Sequence, residues 1–220
     1  DMQDNGIINH GHRLLKELLF KTHPYRFQAI GTHDSMNKIT KDTIKDFYKS
    51  IAAADNIAIG ASGDFKSGDI AVMIEKYFSN MQSIETKPLS PKKEPAIDKN
   101  TKKDIATSKD QSLVLIGFQG VDIYDKDRYA VEILANILSS PSGVLFDSIR
   151  EEKGLTYAVG AFNVLGVDPG YIAIYALTSK GNIERVKQGL FKELDLLARN
   201  GIKKDGIEKS KNYLKAMRKV

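Results

Sequence analysis

No cysteine occurs in this chain, so disulfide frameworks and thiolate metal sites are excluded. That absence suits the cytoplasm and an oxidising compartment such as the periplasm equally well, and a soluble protein is expected with its compartment left open. No apolar run approaches the ~20 residues needed to span a bilayer. The opening residues, Asp1-Met2-Gln3-Asp4-Asn5, are acidic and polar, the reverse of a secretory signal. They do not begin with Met, and a piece of a longer polypeptide is expected. The zinc-binding patterns His-x-x-Glu-His and His-Glu-x-x-His are both missing. Gly60-Ala61-Ser62-Gly63 lacks the spacing of a nucleophile elbow, and there is no phosphate-binding Gly-x-x-x-x-Gly-Lys-Ser/Thr loop. An aromatic-rich basic stripe is absent too. The net charge of +5 comes from Lys interspersed with Asp and Glu, which reads as a solvated surface rather than a nucleic-acid footprint.

What remains is an ordinary globular composition, 41% hydrophobic and 28% charged, in 220 residues. The clearest boundary is residues 85–109, where Pro88, Pro91 and Pro95 sit among Lys, Ser, Thr and Asp and the apolar periodicity stops. Closely spaced prolines deny helix and central strand, so this stretch reads as a linker. Before it, Leu14, Leu15, Leu18 and Leu19 share a helix face that His23-Pro24-Tyr25 ends. Thr40 caps a helix with Ile44, Phe47, Tyr48 and Ile51 on one face. Ile57-Ala58-Ile59 reads as a buried strand, and Ile70, Met73, Ile74, Tyr77 and Phe78 mark a third helix. After the linker come a strand over 112–118 and a helix from Ala130 to Leu138, stopped at Ser139-Ser140-Pro141-Ser142-Gly143. A helix from Leu145 to Glu152 follows, closed by Gly154 in a left-handed conformation. Strands over 156–164 and 171–177 form a hairpin about a Gly166-to-Gly170 turn. A long helix from Ile183 to Leu197 ends at Asn200-Gly201, and a last helix holds Ile207, Leu214 and Met217. Many helices with an antiparallel hairpin make the class α+β.

The chemistry concentrates in Leu145-Phe146-Asp147-Ser148-Ile149-Arg150-Glu151-Glu152-Lys153-Gly154-Leu155-Thr156-Tyr157. An Arg closing a helix and a Tyr opening the next strand can aim two donors into one groove, where they would hold a peptide carbonyl or a developing oxyanion. Taken on spacing alone, a structural account stands beside this one. Arg is favoured at a helix C-terminus by the macrodipole, and Tyr157 shares a strand face with Val159 and Ala161, against which it would pack. His10-Gly11-His12 reads as incidental, and His23 as a buried imidazole bonded to the turn before Pro24.

The string from Leu145 to Tyr157 resembles the substrate-gripping segment of the pitrilysin/insulinase family of zinc metallopeptidases. A second ordered series, His23-Pro24-Tyr25, Gly31-Thr32, Ile39-Thr40, Asp46-Phe47-Tyr48 and Gly63-Asp64, resembles the later part of that family's first domain. The resemblance implies tandem α/β sandwich domains with antiparallel sheets, both incomplete here. Residues 1–84 would be the second half of the first domain, 85–109 the linker, and 110–220 the first part of a second, non-catalytic domain. Incomplete domains would leave apolar helix faces, such as that of Leu14, Leu15 and Leu18, in need of cover. The resemblance further implies the substrate-binding portion of a zinc-dependent metalloendopeptidase, with Arg150 and Tyr157 binding substrate and Tyr157 also stabilising the transition state. No catalytic or metal-binding residue would lie in this segment, and the helix bearing Ala130-Val131-Glu132 has no His where the catalytic domain has its zinc ligands. Zinc would be bound upstream or by a partner subunit, and the segment alone would be inactive. The partners implied are a peptide or protein substrate and the missing catalytic half or a catalytic subunit, with a dimer left open and no nucleic acid. The alternative is a non-catalytic partner subunit of a peptidase or processing complex.

Overall fold

Apolar residues at helical spacing carry most of the elements expected from the sequence. The computed structural model describes residues 6–84, 91–141, 143–151 and 153–218. In chain order they form α1 (Ile7–Leu19), α2 (His33–Met36), α3 (Lys41–Ile51), α4 (Ser67–Phe78), β1 (Gln111–Gln119), α5 (Arg128–Ser139), β2 (Ala158–Val164), β3 (Tyr171–Ser179), α6 (Ile183–Asn200) and α7 (Lys204–Met217). The class is α+β, as expected. The first five residues, 85–90 with Pro88, Ser142, Glu152 and the last two residues lie outside the described set. Contacts divide the chain into two units, Asp1–Phe27 with Lys92–Val220, and Gln28–Pro91.

The first unit is built on an antiparallel sheet of order β1-β3-β2, with Leu113 opposite Leu177 and Ala161 opposite Ile174. On one face Val114, Val159, Ala161, Ile174 and Ala176 pack with Leu138 of α5 and with Val186 and Leu190 of α6. On the other, Tyr171 and Ala173 pack with Leu15, Leu19 and Phe20. Burial on both faces explains why β1 reads as a continuous apolar run rather than an alternation. Helix and strand interlock through glycines. A Cβ on Gly117 would lie 2.5 Å from Leu15 Cδ1, and one on Gly11 would lie 2.5 Å from Leu113 Cδ2. This corrects the expectation that the α1 face lacks cover, because Leu15 and Leu19 are buried against the sheet that follows the linker. The outer edge of β2 is also partly closed. Ser139 Oγ accepts from Ala161 N–H at 2.8 Å and donates to the Ala161 carbonyl, so one exposed backbone position is not left open to another strand.

The second unit holds α2, α3 and α4. Thr40 caps α3 as expected, its Oγ1 accepting from Thr43 N–H at 3.2 Å. Ile57-Ala58-Ile59 corrects the sequence reading, for it is neither buried nor paired in a ladder. A strand is stabilised by its neighbours, and among the described residues of this unit no strand is present to receive it. The apolar stripes of its helices are correspondingly open: Ile44, Phe47, Tyr48 and Ile51 of α3 and Val72, Met73, Tyr77 and Phe78 of α4 are all exposed.

Residues 91–109, the described part of the expected linker, have neither helix nor strand, as their prolines dictate, yet they are pinned. Glu94 accepts from the backbone N–H groups of Lys21 (2.7 Å), Thr22 (2.9 Å) and His23 (2.7 Å) and from Thr22 Oγ1 (2.9 Å). Gln119 Oε1 accepts from Ile97 N–H at 3.0 Å, while its Nε2 donates to the Pro95 carbonyl at 2.9 Å. His23 is buried beside this cradle, as expected. Its Nδ1 accepts from Tyr25 N–H at 3.2 Å, which leaves Nε2 to donate to Asp168 at 3.0 Å in the β2–β3 turn.

Partial burial pushes the Glu94 carboxyl up, but the backbone donors of Lys21, His23 and Thr22 and the Thr22 hydroxyl outweigh it and hold the pKa at about 2. A depressed carboxylate contributes stability above its unfolded value and loses it as the pH falls through the folded one. The Glu94 contribution is therefore full above pH 4.5 and fades toward pH 2. After solvent screening it amounts to about 1–2 kcal/mol. Urea titrations from pH 6 to pH 2 are expected to show Glu94→Gln flattening this limb of the acid profile, and superimposable profiles would refute the assignment.

Candidate substrate-binding site

The segment between α5 and β2 begins with Leu145, fully buried, and continues as a π-helical turn, Phe146–Glu151, whose Ile149 is also fully buried. A π turn is wider than an α turn and occurs mostly as a single turn, frequently at functional sites. With Ile149 anchored in the core, Arg150 follows at the exposed rim. Its guanidinium lies 4.8 Å from the centroid of the Phe146 ring, and its Nε is 3.9 Å from the Glu151 carboxylate. Cation–ring contact and a loose ion pair bias the Arg150 side chain without burying it.

Gly154 adopts φ +57°, the left-handed C′ conformation expected of it, and its N–H donates to the Arg150 carbonyl at 2.9 Å. Leu155 N–H reaches the Ile149 carbonyl at 3.1 Å. These two bonds fold 154–155 back onto 149–150, so Arg150 and Tyr157 branch from the two sides of one cap. The Tyr157 side is fixed in turn. Leu155 is buried, its carbonyl accepts from Thr178 Oγ1 at 2.5 Å, and Tyr157 N–H donates to the Leu177 carbonyl at 2.8 Å.

Tyr157 itself is 61% exposed, whereas Val159 and Ala161 on the same expected face are each 7% exposed. The ring does not share their packing. Tyr157 precedes the first residue of β2, beyond the part of the strand that the helices cover. Two neighbouring hydroxyls were not singled out from the sequence. Ser148 Oγ and Thr156 Oγ1 are buried atoms with no hydrogen-bond partner among the described residues. Buried hydroxyls of this kind call for a partner that these protein groups do not supply. Nothing in a Ser or Thr code distinguishes an orphaned hydroxyl from a satisfied one, because the difference lies in what folds over it.

The histidines do not fit a zinc site. His10 and His12 stand two apart on α1, a spacing at which helical side chains do not face one another. His12 lies 4.8 Å from the Phe162 ring, and burial, followed by the nearby Lys16 charge, lowers its pKa. His23 is engaged with Asp168, and His33 opens α2. Among the described residues no three His, Asp or Glu side chains gather as a metal site. Glu132 of α5 instead pairs with Arg218 at 2.5 Å. No described helix is long and apolar enough to cross a membrane.

The family described as peptidase M16 inactive domain matches residues 38–214. The zinc protease YmxG of Bacillus subtilis strain 168, described as uncharacterized, is 25% identical over 205 residues, which cover 93% of this chain and 49% of that protein. The chain thus spans about half the length of the curated relatives it matches. Two solved structures share the fold: a peptidase M16 inactive domain from Pseudomonas fluorescens, and a chain of complex III2 from Candida albicans. The first has a TM-score of 0.76 at 23% identity over 97% of this chain and 51% of its own. The second has a TM-score of 0.74 at 18% identity over 95% of this chain and 51% of its own. At such identities the structures speak for the fold alone. The match over most of the sequence makes this chain a member of the pitrilysin/insulinase (M16) peptidase family, of which it carries the inactive domain.

Proposed function

We propose that this chain is the substrate-holding, non-catalytic part of a zinc-dependent metalloendopeptidase, with Arg150 and Tyr157 as its substrate-binding residues. The observation that carries the reading is the exposure of both Arg150 and Tyr157, which flank one hydrogen-bonded cap, where the packing account would have buried the Tyr157 ring with Val159 and Ala161. Arg150 would hold a substrate carbonyl in both ground and transition states, and Tyr157 would donate to the oxygen that becomes negative as the peptide carbonyl is attacked. Because the described residues do not fit zinc, the metal would be held by a region upstream or by a partner subunit.

In this reading residues 1–84 close a first domain, 85–109 link, and 110–220 open a second. The exposed faces of α3 and α4 and the unpaired Ile57-Ala58-Ile59 support an incomplete first domain, since a missing sheet would cover them, while α1 packs instead on the sheet of 110–220. The alternative, a non-catalytic partner subunit, is separated from it by the intact gene upstream of Asp1. His-x-x-Glu-His there supports the enzyme, and its absence beside an encoded active partner supports the subunit.

The purified chain is expected to hold less than stoichiometric zinc and to leave a broad peptide panel uncut, whereas the intact protein or the reconstituted pair cleaves it. Elemental analysis paired with the cleavage assay checks this. One tightly held zinc per chain together with activity would overturn the proposal.

A further inference from the structure

The second unit, Gln28–Pro91, interrupts the first in chain order, leaving it after Phe27 and returning at Lys92. Two residues beyond that return, Glu94 reaches back to Lys21, Thr22 and His23, just before the departure. The two ends of the interruption are therefore joined by one carboxylate. We propose that Glu94 is a latch on this neck, whose release frees 92–97 and uncovers the Lys21, Thr22 and His23 amides while the turn they lead into and the three-stranded sheet stay folded.

Three features support a separate opening. The strap 91–109 has no helix or strand and is exposed except at Pro91 and Glu94, so its start is held mainly by polar ties. Among the described residues those ties are few: the four bonds to Glu94, one from Gln119 to the Pro95 carbonyl and one from Ile97 N–H to Gln119. The sheet, by contrast, is held by fully buried Ala173, Ala176, Val186 and Leu190. Segments with few apolar contacts open at lower free energy than a buried core. A carboxylate also suits the cradle in a way no other side chain does. Its two oxygens accept from three successive N–H groups and a hydroxyl at once, whereas an amide in its place would turn an NH2 toward donors. The charged groups around it are Lys21, Lys92 and Lys93 next to the contacts in sequence, Arg26 donating to the Lys21 carbonyl, and Asp168 on His23. Its surroundings are mainly cationic, so closure is favoured in the ionised form.

The test applies trypsin to the whole chain, with mass spectrometry following cleavage after Lys92 and Lys93. Hydrogen exchange is read in parallel at the Thr22 and His23 amides and at Ala173 and Ile174. When opening is fast relative to cutting, cleavage reports the population of the open form. Glu94→Gln is expected to speed cleavage and exchange at Thr22 and His23 by about tenfold or more, while Ala173 and Ile174, which exchange on global unfolding, stay far slower than Thr22 and His23 in parent and variant alike. Glu94→Asp, which keeps the charge on a shorter arm, should fall between the two. Cleavage within about twofold of the parent would overturn the latch. So would equal protection of Thr22, His23, Ala173 and Ile174 in the parent, which would mean that the neck opens only with the whole fold.

Discussion

Tyr157→Phe in the intact protein is expected, on the proposed function, to lower kcat about 10²-fold or more, equivalent to about 3 kcal/mol, with fold and zinc content unchanged. The ring is kept, and only the hydroxyl that would meet the oxyanion is removed. A donor used solely in the transition state should depress kcat and kcat/KM together. Arg150→Ala should behave differently, raising KM as well as lowering kcat, because a guanidinium that grips substrate backbone acts before and during the reaction. Steady-state kinetics on the two variants, with metal analysis and circular dichroism as controls, separates the outcomes. If the two residues have no part in substrate handling, Tyr157→Phe is silent, since the ring is exposed and packs on no core. Arg150→Ala then loses only its contact with Phe146 and its loose ion pair with Glu151, at a small cost in stability. Unchanged kinetics in both would end the functional assignment.

Phe20→Ala is expected to destabilise the sheet-bearing unit by about 3–5 kcal/mol, the range for emptying a buried aromatic site. Phe20 is only 1% exposed and packs with Leu15, Leu19, Tyr171 and Ala173. Its ring lies edge-on to Tyr25 at 5.6 Å and to Tyr171 at 6.2 Å. It therefore joins the end of α1, the His23-Pro24-Tyr25 turn and the first residue of β3, and no single neighbour can move in to fill its volume. Urea unfolding followed by hydrogen exchange at Ala173 and Ile174 reads the loss. A change below about 1 kcal/mol would mean the site collapses freely, against the packing described.

The parts legible in the sequence are those whose signal is local. Thr40 announces α3, Gly154 closes its turn in a left-handed conformation, Asn200-Gly201 ends α6, and Leu113 to Ile116 mark a strand covered on both sides. The candidate site was legible to the extent that Arg150 and Tyr157 stand in one motif on either side of one cap. What escaped depends on distant partners. Ile57-Ala58-Ile59 has strand composition but no strand beside it, so propensity had nothing to act on. Glu94 looked like one more charge among prolines because its four donors lie more than seventy residues earlier. The first turns of α1 were hidden by His10, Gly11 and His12, yet Gly11 is the residue that admits Leu113. Ser148 and Thr156 became conspicuous only once buried.

The interlock of Gly11 with Leu113 and of Leu15 with Gly117 also sets an order of events during synthesis. α1 emerges from the ribosome roughly ninety residues before β1, and at ~5–20 residues per second its apolar face waits on the order of 5–20 s for the strand that covers it. During that interval the nascent chain displays Leu15, Leu19 and Phe20 together, a surface suited to chaperone capture. The long sequence separation of the contact also makes its closure slow compared with forming the helix itself. A chain paused by the ribosome within the Pro-rich linker would hold α1 uncovered for longer still. Translation speed across that stretch thereby becomes a determinant of folding yield.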